Sequence, residues 1–146
     1  TPHTLTPALD RDAIWDQADT DGDQHRVDEL HGRGEDGHGN AQFTLGSEFG
    51  EGRGPGSLMV FDANQDGLPV LATGNRVDGT VSVLLGDGSG SFAPFTDSEG
   101  RTLRDYWIGA EPVELLSGDY NRDSLPDLAV AVRGDAGLRI LLGAPR

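Results

Sequence analysis

The chain has 146 residues, 35% of them hydrophobic, enough for one domain with a modest core. Its formal charge of -14 disfavours nucleic-acid backbones and insertion into anionic membranes, and makes cations the expected partners. Cysteine is absent, so there is no disulfide framework to read, and no window approaches the ~18 apolar residues of a membrane-spanning helix. The 22 glycines and 8 prolines predict short elements joined by tight turns, which favours an all-β chain.

Residues 1–12 form an N-terminal extension in which "TPHTLTPAL" alternates around Leu5 well enough for an extended strand. The first of three repeats, residues 13–57, opens with a strand from Ala13 to Gln17, passes through the acidic "ADTDGDQHRVDEL", and continues with a strand from Ala41 to Leu45 in "NAQFTLG". The second, residues 58–112, places a strand from Leu58 to Phe61 before "FDANQDGLPVLATG" and another from Thr80 to Leu85, with a candidate fourth strand in "SFAPFT". The third, residues 113–146, has strands at Val113 to Ser117, Leu128 to Val132 and Leu138 to Leu142, the last two joined by hairpin residues Arg133 to Gly137.

The repetition rests on matched landmarks. Asp62, Asn64, Asp66 and Pro69 recur at the same offsets as Asp119, Asn121, Asp123 and Pro126. Both copies then close in Leu-Leu-Gly, at Gly86 and Gly143, equally far from the first aspartate. The first repeat is degenerate, and two registers fit it. One takes Asp19, Asp21, Asp23 and, across a one-residue insertion, Asp28; the other takes Asp21, Asp23, His25 and Glu29. The first keeps more oxygen ligands and is preferred.

Oxygen donors at alternate positions of a curled loop point inward and wrap one hard cation, typically calcium. In the third repeat the donors are Asp119, Asn121, Asp123, the carbonyl of Leu125, and Asp127. In the second they are Asp62, Asn64, Asp66 and the carbonyl of Leu68, with Val70 standing where the last carboxylate belongs, so a weaker site is expected. Asp, Asn and Gly also build ordinary turns, but recurrence at fixed spacing before a strand favours the metal.

The stretches "IGAEPVELLSGDYNRDSLPDLAVAV" and "DGTVSVLLGDGSGSFAP" resemble FG-GAP or VCBS-type repeats, the blades of integrin-α-like β-propellers. Val70, Ser124 in place of the usual glycine, and the shifted first loop depart from that pattern. The resemblance implies four-stranded antiparallel blades, calcium in the blade loops, extracellular or periplasmic placement, and a role in adhesion or assembly. The third repeat stops after its third strand, so three blades leave an open propeller that is either a fragment or completed by other copies, head-to-tail, with the N-terminal strand adding to a neighbour's open blade.

Rival readings are weaker. An EF-hand or dockerin loop over "DTDGDQHRVDEL" needs flanking helices and an acid where Leu30 stands. Glycosidase pairs such as Asp16 with Glu29, or Glu111 with Glu114, are unmarked among so many acids and read as surface charges. His3, His25, His31 and His38 lack compact zinc spacing. Trp15, Tyr106 and Trp107 suit sugar stacking but read better as packing residues. The expected protein is a calcium-stabilised, non-enzymatic structural, adhesive or assembly module; the alternative is a carbohydrate- or protein-binding propeller domain cut from a larger secreted protein.

Overall fold

In a computed structural model the chain is all-β, with antiparallel sheets and no helix among the described residues. The structure describes residues 3–7, 15–21, 26–35, 41–50, 52–96, 99–100, 102–103, 105–109, 111–134 and 137–143, with side chains for 52–94, 99–100, 105–109, 111–134 and 137–143.

The first sheet joins β1 (His3–Pro7), β2 (Trp15–Asp21), β3 (Arg26–Glu35) and β4 (Ala41–Gly50) in sequence order. The second joins β5 (Pro55–Phe61), β6 (Val70–Asn75), β7 (Thr80–Gly86), β8 (Phe92–Thr96) and β9 (Thr102–Leu103), with β10 (Asp105–Trp107) also paired to β7. The third is β11 (Glu111–Gly118), β12 (Asp127–Arg133) and β13 (Gly137–Leu141). No sheet closes on itself among the described residues.

Two differences from the sequence reading stand out. The N-terminal strand is the outer strand of the first sheet, with Leu5 opposite Gln17, so it pairs within its own chain. Strand "SFAPFT" does form, but the outer edge of β7 is shared: Phe92 to Pro94 pair with Leu84 to Gly86, and Asp105 to Trp107 pair with Thr80 to Ser82. Phe95 and Thr96 pair instead with Leu103 and Thr102 of β9.

Strand alternation decides what is buried. In the second sheet Met59, Ala72 and Val83 are opposite one another and so share a face with Phe61 and Val81. In the third, Leu115 and Val130 share a face with Leu128, Val132 and Leu141. These two faces meet, with Ile108 between them, as the main core. Burying a side chain such as Val130 or Leu128 there contributes about 1.5–3 kcal/mol. The opposite face of the second sheet forms a smaller cluster of Leu71, Leu84, Leu58, Val60 and Phe92, and β5 lies beside β1 and β2.

The second sheet also buries polar groups. Asn75 Nδ2 donates to Thr80 Oγ1 at 3.0 Å and Ser82 Oγ at 2.7 Å, and Ser82 Oγ donates to Asp105 Oδ1 at 2.5 Å, which fastens β10 to β7. The second and third sheets are tied at the surface by Glu111, whose Oε1 accepts from Arg76 Nε at 2.8 Å and Nη2 at 2.6 Å, with Arg133 Nη1 at 3.5 Å. These guanidinium hydrogen bonds hold the Glu111 carboxyl below the usual glutamate range.

Candidate metal centres in two acidic loops

The chain between β5 and β6 and the chain between β11 and β12 fold alike, residue for residue. Gln65 and Gly67 have φ of 58° and 80°; their counterparts Arg122 and Ser124 have 63° and 73°. Two left-handed residues in each loop curl the backbone tightly, and Gly67 enters that region at no cost where Ser124 carries a Cβ.

The carboxylates enforce the curl. Asp62 Oδ1 and Oδ2 accept from the amides of Asp66 at 3.1 Å and Gly67 at 2.9 Å, and Asp119 accepts from Asp123 and Ser124 at 3.1 and 2.9 Å. One residue further on, Asp66 Oδ1 accepts from Leu68 N and Asp123 Oδ1 from Leu125 N, both at 2.8 Å. The alternate-position amides complete the set: Asn64 Nδ2 donates to Asp66 Oδ2 at 2.9 Å and Asn121 Nδ2 to Asp123 Oδ2 at 2.8 Å. Aspartate and asparagine suit these places because their short side chains reach backbone amides two to five residues on.

The loops differ at two points. Asn64 Oδ1 is buried without a hydrogen-bond partner, whereas Asn121 Oδ1 accepts from the Asp123 amide at 3.1 Å. The ninth position also differs. Asp127 is 1% exposed, and its Oδ1 and Oδ2 accept from Gly143 N and Tyr120 N, each at 2.8 Å. Those backbone donors, Gly143 first, hold its carboxyl below the usual aspartate range against the opposing effect of burial. Val70 has no such reach, and Gly86 N donates instead to the Pro69 carbonyl at 2.8 Å.

The structure thus gathers Asp62, Asn64, Asp66 and Leu68 in one loop, and Asp119, Asn121, Asp123 and Leu125 in the other. Asp127, which the sequence offers as a ligand, also ties the loop to the end of β13, through Gly143. The first repeat is different: Asp19 and Asp21 lie within β2 and Asp28 within β3, opposite Asp19, while Asp23 lies outside the described residues. Strand pairing there runs on to Asp21 opposite Arg26, past the start of the register that begins at Asp19 and up to the first residue of the one that begins at Asp21. Among the described residues no group of three or more His, Cys, Asp or Glu side chains is gathered as a metal site. Such a grouping leaves out amide and carbonyl oxygens, which supply two of the four candidate donors in the Asp62 loop and two of the five in the Asp119 loop.

The donor chemistry fits a hard cation. Each loop offers carboxylate and amide oxygens without nitrogen or sulfur donors, the choice that suits calcium. Asn64 Oδ1 is a buried acceptor facing no donor, a costly arrangement that a cation would relieve.

Other residues singled out in the sequence are placed as follows. Trp107 is 78% exposed, so it is not a packing residue; β10 is a short outer strand whose three residues are all exposed. Glu111 is engaged by Arg76, and Glu114 is exposed, so they do not form a carboxylate pair in a cleft. His3, His31, Trp15, Asp16 and Glu29 lie on the strands of the first sheet, and His25 and His38 lie outside the described residues. The contact between Gln65 and Ser124, where the loops touch, has no signal in the sequence. The chain matches no protein-family model and no curated protein.

Proposed function

We propose that this chain is a calcium-stabilised, non-enzymatic repeat module that acts outside the cytoplasm in structure, adhesion or assembly. Asp62, Asn64, Asp66 and the Leu68 carbonyl would hold one ion; Asp119, Asn121, Asp123, the Leu125 carbonyl and Asp127 would hold another. The observation that carries this reading is the unpartnered, buried Asn64 Oδ1 inside a loop whose every other donor is a hard oxygen. Bound calcium supplies charge neutralisation that pins each loop at the mouth of a strand pair.

The finer architecture is part of the same proposal: each sheet is a propeller-type blade, stacked face to face with the next. The packing of the second sheet's Ala72 face on the third sheet's Val130 face supports it. Partners of this reading are calcium, further copies of the chain, and a protein or glycan surface.

Isothermal calorimetry with calcium, paired with melting curves in calcium and in chelator, tests it. At a free concentration 100 times Kd, each site bound only in the folded state adds about 2.7 kcal/mol. Heat of binding with a clear rise in Tm is expected. No uptake and superimposable melts would overturn the assignment.

A further inference from the structure

One face of the third sheet carries large apolar side chains that are exposed around a buried Ala129, 4% exposed, with the exposed Glu114 opposite Ala131. Leu116 is opposite Ala129, which is opposite Ile140, and Ala131 is opposite Leu138, so these residues share a face with Leu142. Leu116 is 56% exposed, Leu138 60%, Ile140 40% and Leu142 62%. Such a contiguous apolar surface is costly in water and marks an interaction site.

The repeat says what fits there. Matching Asp119 to Asp62 sets Leu116 on Met59, Ala129 on Ala72, Leu138 on Val81 and Ile140 on Val83. In the second sheet those residues form the face that the third sheet covers; Val81 is 0% exposed where Leu138 is 60%. The exposed face is therefore the same surface, one repeat later, uncovered among the described residues. Its complement is the opposite face of a sheet of the same kind.

We propose that a second copy of this chain docks on the Leu116, Leu138, Ile140 and Leu142 face, head-to-tail, through its first sheet. Within one copy the complementary faces of the second and third sheets are already used, in the clusters around Leu71 and around Val130. The contact is thus heterologous and continues from copy to copy as a ring or filament. It rests on the repeat part of the proposed reading and not on the cation.

The test is sedimentation equilibrium of the full chain at physiological salt, in calcium and in chelator. Concentration-dependent association is expected, weakened by about tenfold or more when a charge must be buried, as in Leu138→Glu with Ile140→Glu. Leu116→Glu, on another strand of the same face, is expected to do the same. Circular dichroism and calcium uptake of each variant are expected to match the parent, which separates lost docking from lost folding or lost metal. A parent chain that stays monomeric at high concentration, or variants that associate as well as the parent, would overturn the proposal. The chain has no cysteine, so Ile140→Cys alone reports geometry. Little covalent dimer on mild oxidation supports the head-to-tail contact, and efficient self-crosslinking refutes it.

Discussion

The side-chain amide of Gln65 donates to the backbone carbonyl of Ser124, 59 residues away in sequence, so the two acidic loops meet at their tips. The chain thereby holds Asp62 and Asp66 in one loop beside Asp119 and Asp123 in the other, on a molecule of formal charge -14. Like charges held close oppose folding unless screened or neutralised.

Salt and calcium are therefore expected to act on the same term. In chelator, raising monovalent salt from roughly 10 mM, where screening reaches ~30 Å, to roughly 1 M, where it reaches ~3 Å, raises Tm. In saturating calcium most of that dependence vanishes. Melting curves on a salt series check it, and an equal salt slope with and without calcium would contradict it.

The two loops match in backbone and, apart from the Asn64 and Asn121 side-chain oxygens, in internal hydrogen bonds, so position nine is the difference in carboxylate count that ranks them. Asp127 adds a carboxylate where Val70 adds none. Asp123→Ala is expected to cost more calcium affinity than Asp66→Ala, by calorimetric titration. Equal losses would mean that ligand count does not set the order.

Ser124 occupies the left-handed conformation, φ 73°, that Gly67 occupies in the other loop. Ser124→Gly removes a Cβ penalty of about 1 kcal/mol and is expected to raise stability by about that much, with the Gln65 contact to its backbone carbonyl retained. Gly67→Ser is expected to lose a similar amount. Urea denaturation of the pair decides it, and a destabilised Ser124→Gly would show the hydroxyl matters more than the backbone.

Asp127 and Glu111 both have carboxyls held below their ordinary values of 3.8 and 4.5. A carboxyl lowered on folding stabilises the native state above its unfolded value, and that contribution drains away as pH falls through the folded one. Tm is thus expected to fall as pH drops past about 4, and the fall to be shallower in Asp127→Asn with Glu111→Gln. A pH series of melts checks the slope. An unchanged acid limb in the double variant would assign it to other carboxyls.

The positions of the two candidate loops were legible in the sequence because their internal hydrogen bonds are local. Asp62 bonds amides within five residues of itself, as Asp119 does, so recurrence of D-x-N-x-D was enough to place both loops. Apolar patterning likewise marked β5, β7, β11, β12 and β13, although β12, like β6, is a central strand buried on both faces and does not alternate. The first repeat's loop was not legible, because two registers fit its acids and pairing across β2 and β3 chose a longer hairpin.

What tertiary structure decided is everything that requires distant segments to meet. Trp107 and Val130 are both apolar strand residues, yet one is 78% exposed and the other 0%, because only Val130 lies between two sheets. Asp127 is a metal-ligand candidate by spacing, and the end of β13, far along the chain, supplies the Gly143 amide that also makes it a clamp. The sequence by itself determined an all-β chain built from a repeated acidic loop and strand pair. Which sheet faces are covered, and which is left exposed, follows from packing between repeats, where burial depends on neighbours that no local pattern encodes.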